Sequence, residues 1–358
     1  MSMKALVTTG EKTAVVKTDV PIPKPRPGEI LVKVHYAAQN PTDWKGMVGA
    51  KAGKVLGCDF AGTVADANGT SMWPVGQRVA GWVHGNTVDP PRGAFAEYLT
   101  TEPSLVFPVP DNVSLEAAST VSLAVATAVQ ALFQRLQLPQ PGSSSSSSSD
   151  NKNKIPVLIY GGTSSVGLYA VQLARMAGLY VIATGSAKNH SLLKSLGADE
   201  TVDYNDSNWV ETVRSLTNDN LQHALDTISE GGTIEKVASA MSTTKGGHVV
   251  CLLPVKSAKA NLEGTDVGRR VKIESTIAYS VFEKPLEGYG SFDNQGGVTT
   301  EDRRFWEGQL KHLPEWLGSG KLKTNKVTIL GGLEAIPEGF RMHSEGKVRV
   351  EKLVYKIA

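Results

Sequence analysis

The stretch YGGTSSVG, Tyr160 to Gly167, has the residue types of a phosphate-binding turn. It follows the apolar run 155–159 and opens a segment with helical spacing of apolar residues. Strand, glycine turn and helix in that order aim backbone N–H groups and the positive end of a helix dipole at a pyrophosphate. The middle glycine of G-x-G-x-x-G is absent, and serines stand there. Gly161 and Gly162 can take the tight turn, and Gly167 lets the helix approach the sheet. Ser164 and Ser165 can offer N–H groups and hydroxyls to the pyrophosphate, with Thr163 and Val166 completing the turn. The competing reading is a glycine-rich αβ turn with no ligand.

A second strand pattern, YVIAT, begins about 20 residues on, as a dinucleotide fold requires. A carboxylate at its end would take the adenosine ribose hydroxyls of NAD. Here the segment reads GSAK, with no acid before Asp199. Ser186 and Lys188 suit a 2′-phosphate instead, so NADPH is the expected cofactor. A solvated lysine at a helix start is the competing reading of Lys188.

The elements that must carry these residues are of two kinds. The first part is β-rich: ALVTT, TAVVKTDV, EILVKVHYAA, GTVADANG and GQRVAGWV are short runs separated by Gly and Pro. From Ser114, an N-cap, SLEAASTVSLAVATAVQALFQRL predicts two successive helices. PGSSSSSSSDNKNK then reads as an insertion tolerated in a surface loop. Beyond it β and α patterns alternate, from PVLIY and SVGLYAVQLARMAG to HALDTI, TIEKVASAM and GGHVVCLL. That alternation predicts a parallel doubly wound sheet with the glycine turn at its first strand-to-helix junction. VKIESTIAYS, a Gly-rich loop, one amphipathic helix EDRRFWEGQLKHLPEWL and a closing strand KLVYKI follow.

At 358 residues the chain is long for one core, and two domains are expected. A formal net charge of +2 gives no strong field for nucleic acid or an acidic membrane surface. The two cysteines, Cys58 and Cys251, exclude a disulfide framework and a four-cysteine zinc lobe. MSMKALVTTGEK lacks a hydrophobic signal core, and LAVATAVQALF, the longest apolar stretch, is too short to span a bilayer and reads as a buried helix. A cytoplasmic protein is expected, with no membrane and no nucleic-acid partner.

With GEILVKVHYAAQNPTDWK, LGCDFAGTV, VGQRVAG, GAFAEY, YGGTSSVG and LGADETVDY in place, the chain resembles the medium-chain dehydrogenase/reductase superfamily across essentially its whole length. Within it the likeness is to the zinc-free quinone-reductase-like branch. More narrowly it is to the fungal trans-acting enoyl reductases that serve polyketide synthases, on NPTDWK, RVAGWVHGN and GGLEAIPEGFRMHSEGK…EKLVY. The resemblance implies an α/β fold in which a GroES-like β-rich catalytic domain, residues 1–125 and 285–358, receives an inserted Rossmann domain, residues 126–284. A disordered Ser-rich loop would cover 142–154, and substrate would lie in the cleft between the domains. Tyr204, in LGADETVDY, joins the cofactor contacts. The partner implied is a polyketide synthase acyl carrier domain bearing the thioester substrate, and the enzyme would be a monomer or homodimer.

Zinc alcohol dehydrogenases of the superfamily place a cysteine after the early strand and a His-Glu pair in G-H-E. Here Asn40 takes the first position and Gly57, Cys58, Asp59 the segment, so no catalytic zinc is expected and Cys58 reads as a small buried residue. Hydrogen-bond donors must then stabilise the enolate formed by hydride addition to a conjugated alkene. The resemblance points to Lys45, to orient the thioester or supply charge. It also points to Asn40, and to Thr127 at the start of a TAVQAL helix, which would bond the carbonyl or the nicotinamide ribose. A turn-forming Asn40, a capping Thr127 and a solvated Lys45 compete with these roles. Asp43 is expected to brace the loop, and Tyr36 and Tyr279 to sit in core. No tyrosine follows NPTD where mitochondrial enoyl reductases carry their proton donor, which leaves water for that role. Gly288 and Gly290 could leave room for a growing chain. The expected function is an NADPH-dependent trans-acting enoyl reductase. A stand-alone quinone or enone reductase and a non-catalytic NADPH-binding protein are the alternatives; against the latter as an RNA binder, no basic stripe is present.

Overall fold

The computed structural model describes the chain apart from residues 11, 49, 88–91, 143–153, 283–291 and 294–298. Most of the Ser-rich loop at 142–154, with Gly288 and Gly290, lies outside the described residues. The chain divides into two units, Met1–Leu123 with Glu307–Ala358, and Ala124–Trp306. The first begins with β1 (Ser2–Gly10), β2 (Thr13–Pro21), β3 (Ile30–Ala38), β4 (Asp59–Asp66), β5 (Arg78–Trp82), β6 (Tyr98–Thr101) and β7 (Val106–Pro108). The second carries β8 (Pro156–Tyr160), β9 (Tyr180–Thr184), β10 (Glu200–Val202), β11 (His223–Asp226), β12 (Gly247–Cys251) and β13 (Val271–Ser275). The chain then returns to the first unit as β14 (Val327–Gly331) and β15 (Lys352–Lys356).

In the first unit β1 and β2 form an antiparallel ribbon, and a seven-stranded sheet runs β14-β15-β3-β4-β5-β7 with β6 also on β3. Along β3, Ile30, Val32 and Val34 are fully buried while the residues between them are half-buried, the period of two that a strand imposes. Their side chains join Leu6, Phe60, Phe95 and Leu99 in one core. β15 pairs antiparallel with the end of β3, Val354 opposite Ala38 and Tyr355 opposite Ala37. The closing strand therefore lies beside the segment leading to NPTDWK.

In the second unit six strands pair in the order β10-β9-β8-β11-β12-β13, every pair parallel. By chain order within the unit this is third, second, first, fourth, fifth, sixth, the doubly wound arrangement expected from the βα alternation. The order in which strands are added reverses between β8 and β11, whose ends Tyr160 and Asp226 are in register. Leu158, Ile182, Ala224 and Val249 are completely buried, as strands covered on both faces require.

Two helical expectations are revised. SLEAASTVSLAVATAVQALFQRL forms helices Leu115–Ala118 and Ser122–Val129 and then a π-helical turn, Gln130–Arg135. By composition Leu115–Arg135 could cross a membrane, but 78% of its apolar window is buried inside the fold. EDRRFWEGQLKHLPEWL is not one helix but Thr300–Leu310 and Leu313–Gly318. Pro314 has no N–H and clashes with a preceding helical turn, so it is accepted only in the first turn of a new helix.

Candidate active site

In the second unit the glycine turn sits at the reversal point of the sheet. Gly161 has φ +73°, and a Cβ there would come 2.5 Å from Thr227 Oγ1. A Cβ on Gly167 would collide with the Gly161 carbonyl, so glycine is what lets helix Ser165–Met176 begin so close to the turn. The turn is tied to β9 by Gly161 N–H donating to Thr184 Oγ1 at 2.9 Å and Gly162 N–H to the Thr184 carbonyl at 2.8 Å.

Ser164 departs from its expected role. It is the N-cap of the helix: its hydroxyl accepts from Gly167 N–H at 2.9 Å and donates to Thr227 Oγ1 at 2.8 Å. Its own N–H donates to the Gly161 carbonyl at 2.9 Å. Both donors expected for a pyrophosphate are thus committed to the turn itself. Thr227 was invisible as a partner in the sequence because it follows a different strand, β11. Its hydroxyl reaches the Tyr160 and Gly161 carbonyls at 2.9 and 3.0 Å. Thr163, Ser165 and Val166 remain around the helix start, whose positive end lies where doubly wound sheets take dinucleotides. A cradle that only glycine backbone can make, at a helix N-terminus, fits a dinucleotide pyrophosphate.

At the end of β9, Ser186 precedes the short turn Ala187–Asn189 and accepts from Asn189 Nδ2 at 3.1 Å; Lys188 is exposed. The acid missing from this strand end arrives from the next one. Asp203, just past β10, accepts from Ala187 N–H at 3.2 Å, and hydrogen bonds, first from the Asn205 N–H, hold its carboxyl below the usual range. Tyr204 follows, 43% exposed. Thr127 also belongs to this unit; it lies inside helix Ser122–Val129 and not at a helix start, which removes its capping alternative.

In the first unit, NPTDWK forms the helix Pro41–Lys45, with Asn40 at the N-cap and proline in the first turn. Asp43 braces it as expected, its Oδ2 accepting from Asn40 N–H at 2.6 Å. Asp43 is buried, and burial pushes its carboxyl up to about 7. The Asn40 side chain is engaged at both ends. Nδ2 donates to Asp59 Oδ2 at 2.9 Å, and Oδ1 accepts from Lys352 Nζ at 2.5 Å. Lys352 Nζ is 3.7 Å from Asp59 Oδ2, and Asp59 Oδ1 accepts from Leu123 N–H at 2.8 Å. Burial disfavours both charges, lowering the lysine pKa and raising the aspartate, while their mutual attraction works the other way. Asn40, expected to face substrate, is therefore a buried residue that anchors the helix.

Lys45 ends that helix half-buried, its Nζ 5.5 Å from the Trp44 ring centroid. The Trp44 ring lies 6.3 Å from that of His343. Behind them Tyr355 Oη donates to Gln39 Oε1 at 2.6 Å, and Gln39 Nε2 lies 3.0 Å from the Gly339 carbonyl and 3.1 Å from His343 Nδ1. Lys352, His343, Gln39 and Tyr355 escaped the sequence reading as site residues. Three of the four lie in or near the closing strand, some 300 positions from NPTDWK, and no local pattern links them to it. Tyr279 is buried at 4% exposure, as expected for core.

Zinc does not fit these residues. Asn40 and Asp59 already bond a buried ammonium, whose charge opposes a second cation. Among the described residues no group of three His, Cys, Asp or Glu is placed to hold a metal.

Residues 26–111 match the alcohol dehydrogenase GroES-like domain, and residues 165–285 the zinc-binding dehydrogenase family. The trans-enoyl reductase ACTTS2 of Alternaria alternata is 34% identical over 363 residues, covering 100% of this chain and 99% of its own. A zinc-type alcohol dehydrogenase-like protein of Schizosaccharomyces pombe is 35% identical over 370 residues, covering 99% of this chain and 100% of its own. Among solved structures, the quinone oxidoreductase from Coxiella burnetii is similar over 100% of both chains, with a TM-score of 0.73 at 23% identity. Likeness at that identity speaks to the fold.

Proposed function

Because this chain belongs to the medium-chain dehydrogenase/reductase superfamily and is an oxidoreductase, we propose that it is an NADPH-dependent, zinc-independent enoyl reductase. It would work in trans in the cytoplasm, on an α,β-unsaturated thioester carried by a polyketide synthase acyl carrier domain. The reading is carried by likeness over the full chain to a relative named a trans-enoyl reductase. The Lys352–Asn40–Asp59 network supports the metal-free form of the chemistry.

NADPH held at the glycine turn of Gly161, Gly162 and Gly167 would supply the hydride that adds to the β-carbon of the enoyl thioester. The alkene electrons would then rest on the thioester oxygen as an enolate, and a proton from water would add at the α-carbon. Lys45 supplies positive charge to that oxygen or orients the thioester. Thr127 bonds the carbonyl or the nicotinamide ribose. Asn40, held by Lys352 and Asp59, positions the helix that carries Lys45. Gly161, Gly162 and Gly167 shape the pyrophosphate cradle, and Ser186, Lys188 and Tyr204 receive the adenosine end.

The experiment is NADPH oxidation with crotonyl-pantetheine beside a simple quinone. We expect the thioester to be the better substrate. Lys45→Ala should cut its turnover strongly while leaving NADPH affinity unchanged, because Lys45 lies outside the nucleotide unit. Faster quinone turnover, indifferent to Lys45, would favour a stand-alone quinone reductase instead.

A further inference from the structure

We propose that His343 is held as a neutral imidazole protonated on Nε2, and that this N–H donates a hydrogen bond to the substrate carbonyl oxygen beside Lys45. The inference rests on the reading of Lys45 as a substrate contact and adds a second donor to it.

The tautomer follows from partners with fixed roles. Gln39 is 1% exposed, so its amide must satisfy itself within the protein. The Gly339 carbonyl can only accept, which turns Nε2 of Gln39 toward it. Tyr355 Oη then donates to Oε1 at the other end; its phenol is pushed further up by burial and by the charge of Asp43, so it keeps its proton. One N–H of Gln39 remains, and at 3.1 Å it faces His343 Nδ1, which must therefore present its lone pair. The proton lies on Nε2. A second proton would set N–H against N–H.

Other groups act the same way. Burial, the ammonium of Lys352 and that of Lys45 all disfavour an imidazolium, holding His343 down to about 4. The arrangement is built closely: a Cβ at Gly339, in helix Ile336–Ser344, would collide with Tyr355 Oη and come 2.7 Å from Gln39 Oε1. Nδ1 is thus occupied, whereas Nε2 has no hydrogen-bond partner among the described residues. The ring shares the Trp44 side chain with Lys45. A neutral donor that cannot lose its proton near neutral pH can strengthen its bond as charge builds on an enolate oxygen.

The test compares His343→Phe, which keeps a ring without the donor, with His343→Gln, whose Nε2 can replace it. Both are assayed on whichever of crotonyl-pantetheine or quinone the unmodified enzyme reduces, since either presents a carbonyl oxygen. The Phe variant should lose kcat by about 100-fold, with NADPH affinity unchanged, and the Gln variant should recover most of that loss. Gln39→Glu replaces the donor facing Nδ1 by an acceptor and should bring a new titration of kcat into the range of an ordinary histidine. Nitrogen-15 NMR of the unmodified protein should show His343 neutral and Nε2-protonated from pH 5 to 8. Full activity in His343→Phe, equal loss in Phe and Gln variants, or an Nδ1–H tautomer would overturn the proposal. Activity on quinone alone with the same variant pattern would overturn the thioester reading and leave His343 in place.

Discussion

The Asn40 carboxamide is bonded at both ends, and its bonds to Lys352 and Asp59 turn it into an anchor for helix Pro41–Lys45. Residue type alone left substrate contact and turn formation both open, because nothing nearby in sequence announces the lysine that decides between them. Asp43 adds a pH signature. Its carboxyl is raised from 3.8 to about 7, chiefly by burial. The folded protein therefore keeps a proton that the unfolded chain has lost, and stability falls as pH rises from about 4 to about 7, then levels off. Asp43→Asn should remove this slope. Melting temperatures taken from pH 5 to 8 should diverge in the variant's favour as pH rises; parallel curves would contradict the assignment. At the end of β9 in the other unit the charges are mixed, Lys188 exposed and Asp203 on the Ala187 N–H. If Lys188 holds the 2′-phosphate, Lys188→Ala should weaken NADPH by ~1.5–3 kcal/mol and leave NADH alone. Equal losses for both cofactors, by fluorescence titration, would remove that contact. Under the same assignment Asp203→Asn should shift preference toward NADPH, since it removes a negative charge from the Ala187 turn that precedes Lys188.

Among the elements, those with strong local signals were legible. The βα alternation from PVLIY onward sufficed to expect a doubly wound sheet, and Gly167 was read correctly as a close-approach glycine, because each signal lies within one strand-turn-helix unit. Contacts between strands distant in sequence were not legible. Thr227 reaches the turn from β11, Asp203 reaches GSAK from beyond β10, and β15 brings Lys352 under Asn40. The π-helical turn at Gln130–Arg135 was likewise hidden inside an unbroken apolar run; its polar residues gather on buried Asp302, with Gln134 Nε2 at 2.9 Å and Arg135 Nη2 at 2.5 Å from its carboxylate. The glycine turn supplies a prediction at this scale. Ser164→Ala removes an N-cap, worth ~0.5–2 kcal/mol of stability, and also loosens the bond to Thr227. Both the melting temperature and NADPH affinity should fall. A variant with unchanged NADPH affinity would show that the cap serves the helix without shaping the cradle.

Lys45 and His343 belong to the β-rich unit and the glycine turn to the other, so under the proposed function carbonyl activation and cofactor binding fall to different units. The proposed function stands or falls on where the hydride goes. The direct measurement is incubation of crotonyl-pantetheine with NADPH deuterated at the transferable position of C4, followed by mass and NMR analysis of the thioester. The expected product is a saturated butyryl thioester carrying one deuterium, located at the β-carbon, with solvent hydrogen at the α-carbon. Recovery of unreacted crotonyl thioester while the same protein reduces a quinone, or deuterium found at any other carbon, would contradict it.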